Sequence, residues 1–199
     1  MLLLVPVLAA VVIALLRGGS LHHLANVPLR GGSWIVSSLG VQVLLYVPGI
    51  RTASLVVQWS GSIYIVALAL ALVGALRNWG LGTAARVALL GLVLNIMVIA
   101  ANGGHMPVAA DALRLVQGQG KAADIADRRH YNNTLFADAH TRLAALSDII
   151  PVPAPGGRGN VYSIGDALLA AGVAALAYRS IRGRTRGVPP TAATASKAA

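Results

Sequence analysis

The chain contains no cysteine. That removes disulfides, thiolate zinc sites, iron–sulfur clusters and thiol catalysis from consideration, and it leaves the redox compartment unread. Charge is also scarce: 11% of the 199 residues are charged, against roughly a quarter in an ordinary soluble domain. Acidic residues are scarcest of all, with 6 against 16 lysines and arginines and a formal net charge of +10. Such an excess can signal nucleic acid, but here the basic residues are scattered through loops rather than set along one stripe, apart from a C-terminal cluster. The excess reads as a membrane-topology signal and as contact with anionic lipid headgroups at the basic tail, with no nucleic-acid partner.

What the chain has instead is apolar sequence in long runs: 56% of its residues are hydrophobic. Five segments approach the roughly 20 apolar residues that a helix needs to cross the hydrocarbon core: 1–16, 34–50, 53–76, 84–101 and 163–178. The first competes with a secretory signal peptide, but it carries no basic leading region, and no small-residue cleavage site precedes a soluble domain. A tight turn with Pro48, Gly49 and Arg51 separates the second and third. The expectation is an all-α integral membrane bundle of about five transmembrane helices. Four lie in residues 1–101, an extracytoplasmic amphipathic cap occupies 102–162, a final helix runs over 163–179, and 180–199 form a basic, disordered cytoplasmic tail.

Direction follows from lysine and arginine, which resist translocation. The end of the chain carries Arg179, Arg182, Arg184, Arg186 and Lys197 with no acidic residue, which places it in the cytoplasm. Counting back through five crossings puts the Arg77 turn and the 17–30 loop inside, and the N-terminus and residues 102–162 outside. The expected location is a bacterial plasma membrane. All six aspartates (Asp111, Asp124, Asp127, Asp138, Asp148 and Asp166) fall in the external segment or at its junction with the last span.

Ser37, Ser38, Gln42, Gln58, Ser60, Ser62 and Asn95 lie in or near the ends of the spans. Side chains of this kind bond to neighbouring helices, and an ionisable transport path is missing except for Arg86, close enough to an end to reach the interface. Gly40, Gly61, Gly74, Gly91 and Gly172 allow backbones to approach closely, which fits a compact bundle with room for further membrane subunits. His22 and His23 are adjacent and His105, His130 and His140 dispersed, so no metal site is assigned and no cofactor is expected.

In the external segment, Asn102 to Pro107 end the fourth span, with glycines in C-cap positions and a proline that prevents continuation. Residues 109–116 suit a short helix stopped by Gly118 and Gly120; the following Lys121 lacks the spacing and the Ser or Thr of a phosphate loop. A second helix is predicted over 134–146, where Leu135, Phe136, Ala139, Leu143 and Leu146 share one face. Residues 149–155, with three prolines, are predicted to be extended.

Two readings of Asp148 and Asp166 stand side by side. In one, Ser163-Ile164-Gly165-Asp166 is a capping box at the start of the last helix, and Asp148 is a surface carboxylate. In the other, Asp148 and Asp166 face each other at the outer boundary and share a proton, so that one is an acid while the other deprotonates a water that attacks a peptide carbonyl.

The run Leu146-Ser147-Asp148-Ile149-Ile150, a proline-bearing link, and Val161-Tyr162-Ser163-Ile164-Gly165-Asp166 resembles the end of the lipoprotein signal peptidases. That resemblance covers about 30 residues. It implies that Asp148 and Asp166 are a catalytic pair, with Asn133 and Arg142 as the candidates for that family's Asn and Asp-Arg motifs and Asn102 and Ser163 supporting. Over nearly the whole chain, Gly18-Gly19, Leu24-Ala25-Asn26, Asn102-Gly103-Gly104, Met106-Pro107, Thr141-Arg142-Leu143, Asp148-Ile149-Ile150-Pro151 and Ser163-Ile164-Gly165-Asp166 carry a second likeness. They resemble a family of bacterial multi-pass membrane proteins catalogued as domain of unknown function 5317. This implies a membrane location and a five-span build, and no activity. The expected function is a non-catalytic membrane component or assembly factor, with an aspartyl peptidase-like hydrolase as the alternative.

Overall fold

A computed structural model of the protein describes residues 4–45, 47–117, 134–155 and 159–184. Helices dominate: α1 (Leu4–Leu16), α2 (Leu21–Ala25), α3 (Gly32–Leu44), α4 (Pro48–Arg51), α5 (Ser54–Arg77), α6 (Thr83–Ala101), α7 (Ala110–Gln117) and α8 (Ile164–Ile181). Three of them, α5, α6 and α8, are long and apolar enough to cross a membrane, with mean hydropathies of 2.0, 2.2 and 1.4. The shorter α1 and α3 are apolar but hold 13 residues each, about 20 Å at 1.5 Å per residue. The span expected over 34–50 is therefore shorter than read. Helix α3 ends at Leu44, and Pro48, which has no N–H and holds Val47 in an extended conformation, begins the separate turn α4.

The long helices pack as a row in which α1 lies on α8, α8 on α6, α6 on α5 and α5 on α3. Glycines set the closest contacts. A side chain on Gly91 would run into the backbone of Gly165 and Leu169, and one on Gly172 into Ala88; α6 and α8 thus run antiparallel with their backbones touching. Gly61 and Gly74 are in the same position against the 103–104 turn and Ile35, whereas Gly40 faces open space. The core of the row is Leu68, Leu92, Val98, Ile99 and Met106, while Leu8, Val36, Leu55, Trp59 and Val66 on its outside stay largely exposed. Such a large apolar exterior is what lipid, rather than water, satisfies.

The basic turns share one end of this row. Asn78, after α5, donates to the carbonyl of Arg30 and accepts from its amide, and the amide of Ser20 donates to the carbonyl of Ile181. Arg77 lies over the Trp34 ring and Arg86 over that of Trp79, at 5.3 and 5.0 Å.

At the opposite end the all-α expectation needs correction. Among the described residues four strands of three residues form two small sheets. β1 (Met106–Val108) pairs in parallel with β2 (Thr134–Phe136), and β3 (Ile150–Val152) pairs antiparallel with β4 (Asn160–Tyr162). The expected helix over 109–116 is present as α7, whose inner face packs Ala112, Leu113 and Val116 on Val108 and Val161. Of the extended course expected over 149–155, Ile150–Val152 are present as β3.

The helix expected over 134–146 is not present. Leu135 and Phe136 instead pair with β1, and Asp138 closes a turn on its own side chain, with its carboxylate accepting from the His140 amide at 2.8 Å and its amide donating to Thr141 Oγ1 at 2.8 Å. Leu143 then adopts φ 54° before a 3₁₀ turn over Ala144–Leu146. A short polar side chain that bonds to nearby backbone competes with helix at such a position.

Candidate functional site

The two sheets meet at Asp148. Its amide donates to the Pro107 carbonyl and its carbonyl accepts from the Ala109 amide, both at 2.9 Å, so its backbone runs along the free side of β1. One residue later the Ile149 amide donates to the Tyr162 carbonyl at 3.2 Å, which passes the chain to the β3–β4 hairpin. Strand β4 leads through Ser163 directly into α8. The hairpin thereby returns the start of α8 to the neighbourhood of Asp148.

Asp166 sits in the first turn of α8 within a closed polar ring. Ser163 Oγ accepts from the Asp166 amide at 2.9 Å, and the Ser163 amide donates to Asp166 Oδ2 at 3.3 Å, the two halves of a capping box. Asn95 of α6 joins it from the side: Nδ2 donates to Asp166 Oδ1 at 2.7 Å, while Oδ1 accepts from the Ser163 hydroxyl at 2.9 Å. These partners fix the orientation of the Asn95 amide, because only its oxygen can accept. Gly165 makes the ring possible, since any side chain there would collide with Asn95 Oδ1.

Asp148 is the opposite case. Among the described residues its enclosed Oδ1 has no hydrogen-bond partner, and the same holds for the hydroxyl of Tyr162. Burial, with the negative charge of Asp166 adding to it, pushes the Asp148 carboxyl up to about 8. At neutral pH Asp148 is therefore mainly the neutral acid. Among the described residues no hydrogen bond joins the two carboxyl groups. The site holds one acid with an unused oxygen and one carboxylate whose two oxygens both accept.

Asn102 and Arg142 also come together, but as a clamp. Asn102 Nδ2 donates to the carbonyls of Val98 (2.8 Å) and Arg142 (2.9 Å), and its Oδ1 accepts from the Arg142 amide at 3.0 Å. Arg142 takes part through its main chain, and the clamp ties the turn before Leu143 to the end of α6. Asn133 lies outside the described residues, as do Lys121 and His130.

Two residues of the site escaped the sequence reading. Asn95 was grouped with the polar residues that serve general bundle packing. The signal for its role is that it follows Gly91 by one helical turn, on the face where a glycine lets another backbone approach. Tyr162 stands in the sequence only as part of the Val161-Tyr162-Ser163 run, although a tyrosine next to a helix cap has a hydroxyl that must be accommodated when the ring is buried.

No curated protein and no solved structure matches the chain. The model of a family of unknown function (DUF5317) matches residues 26–178, a stretch that contains Asn95, Asn102, Asp148, Ser163 and Asp166. The chain belongs to that family.

Proposed function

We propose that the protein is a five-span component of the bacterial plasma membrane, with its N-terminus outside and its C-terminus in the cytoplasm, and that it acts without catalysis as a subunit or assembly factor. In this reading α1 and α3 cross together with α5, α6 and α8, and residues 102–162 form a cap on the outer ends of α6 and α8. The single observation that supports a non-catalytic role most is that both Asp166 oxygens bind the start of α8 and Asn95, with no bond to Asp148. The polar ring is a fastening between two helices and a cap.

A second reading, an aspartyl peptidase-like hydrolase, is favoured by Asp148. A buried acid with a free oxygen beside a second carboxylate is the asymmetry that acid–base catalysis uses. Asp148→Asn and Asp166→Asn, tested singly, separate the two. The fastening role predicts normal abundance for Asp148→Asn, reduced abundance for Asp166→Asn, and unchanged lipoprotein processing in membranes of either variant. Processing lost at normal abundance would establish the hydrolase instead.

A further inference from the structure

The opposite end of α8 carries a group of charges that the fastening does not use. The chain leaves α1 at Arg17 and turns through Gly18, at φ 78°, and Gly19. A Cβ on Gly19 would stand 2.6 Å from Ile181 Cγ2 and 2.8 Å from the Ile181 carbonyl oxygen, so only glycine allows the turn to lie against the last residue of α8. The contact is fastened by the Ser20 amide, which donates to the Ile181 carbonyl at 2.9 Å, and by His23 Nδ1, 3.1 Å from the same oxygen. Beyond α8 the Arg184 amide donates back to the Arg179 carbonyl at 2.8 Å, through Gly183 at φ 64°.

These turns gather guanidinium groups from opposite ends of the sequence. Arg17 Nη1 donates to the Tyr178 hydroxyl at 3.3 Å. Arg182 Nη1 lies 3.7 Å from where a Cβ on Gly18 would be. The turn that folds the Arg184 amide back onto the Arg179 carbonyl keeps Arg184 at this end of α8. Among the described residues no carboxylate pairs with any of the three arginines. Arginines that only mark the cytoplasmic side would spread apart into solvent. Here Arg17 is held on the Tyr178 hydroxyl, Arg182 lies against the Gly18 turn, and among the described residues Arg182 Nε is enclosed without an acceptor. An enclosed cationic donor without an acceptor carries a desolvation cost that a bound anion would offset.

We propose that Arg17, Arg182 and Arg184, with the Tyr178 hydroxyl, form a binding site for a phosphate group at the shared end of α1 and α8. Guanidinium forks match phosphate oxygens in pairs. The Tyr178 hydroxyl accepts from Arg17 and keeps its own proton to donate. The phosphate is carried either by an anionic phospholipid headgroup or by a free anion. The neighbouring Leu16, 82% exposed, gives acyl chains a surface beside the headgroup. The lipid source rests on the membrane reading, whereas the site itself does not.

The test uses the full chain in neutral detergent, with short-chain phosphatidylglycerol, short-chain phosphatidylcholine and inorganic phosphate as separate probes. Retention is counted by native mass spectrometry and affinity by thermal shift. The expected result is saturable binding of one phosphatidylglycerol and none of phosphatidylcholine. Arg182→Gln should weaken binding about tenfold or more, and Arg77→Gln, which removes the same charge at the same end of the row, less than about twofold. Arg182→Lys, which keeps the charge and loses the fork, should fall near Arg182→Gln. If Arg182→Gln does not fold, Arg17→Gln and Tyr178→Phe test the same contacts. Competition by millimolar phosphate identifies the free anion as a ligand, and its absence identifies the lipid; both support the site. Binding that never saturates, or that falls equally in Arg77→Gln and Arg182→Gln, overturns it. A chain that stays monodisperse without detergent would defeat the membrane reading, and its phosphate titration would still report on the site.

Discussion

Asn95 lies in a helix of otherwise mainly apolar residues, and the nitrogen and oxygen of its amide serve two different partners across the α6–α8 contact. Asn95→Leu would remove both at once, leaving Asp166 Oδ1 without its donor and the Ser163 hydroxyl without its acceptor. Leaving buried partners of a charged group unsatisfied costs about 2–3 kcal/mol, whereas Ser163→Ala, a cap loss, costs about 1 kcal/mol. Because the two residues share one ring, the double variant should lose less than the sum of the single variants, as read from thermal unfolding in detergent.

Asp148 supplies a second prediction at the same scale. Its folded value, about 8, lies above the ordinary value of 3.8, so the folded protein holds a proton that the unfolded chain releases. The stability this confers is complete below about pH 4 and is lost as pH rises to about 8, with a slope of at most about 1.4 kcal/mol per pH unit. Asp148→Asn, which resembles the protonated acid, should flatten that decline. A carboxylic-acid infrared band present at pH 7 and missing in the variant would assign the proton; unchanged spectra would remove the claim.

Among the elements, α6 and α8 depend on two glycines that face each other. Gly165→Val would drive a branched side chain into Asn95 and the α6 backbone, and the expected outcome is loss of the monodisperse species on size exclusion. Gly40→Ala, with open space around it, should leave the profile unchanged.

The same contrast shows what the amino-acid order reveals and what it conceals. The apolar runs mark where helices lie, because twenty residues of one character leave few alternatives, and Ser163-Ile164-Gly165-Asp166 announces its cap within four residues. The short strands give no such sign: three residues each are too few for an alternating pattern, and β1 finds its partner 28 positions later, at Thr134. Over 134–146 the three- and four-residue spacing of Leu135, Ala139, Leu143 and Leu146 imitates a helix, yet the Asp138 side-chain turn and pairing with β1 prevail. The approach of the 148–149 stretch to the chain that leads into α8 is legible only as a motif. The hairpin and the β1 ladder that bring them together act across distances that no local pattern encodes.

For the whole molecule, alternating helix directions send the Arg17, Arg30, Arg77 and Arg182 turns to one end and the two small sheets to the other. In the proposed membrane arrangement those ends face opposite compartments, with the arginine end on the cytoplasmic side that the positive-inside bias favours. The native chain offers a clean way to test this, since without any cysteine a single introduced thiol is the only one that can react. Ala144→Cys lies in an exposed turn at the sheet end, and Ser196→Cys lies in the C-terminal tail. A membrane-impermeant maleimide added to intact cells should label Ala144→Cys and leave Ser196→Cys untouched until the membrane is opened. The reverse pattern would invert the molecule and place the carboxyl site in the cytoplasm. Labelling of both in intact cells would put the two ends of α8 on one side of the membrane, so that α8, long and apolar enough to cross, would not do so.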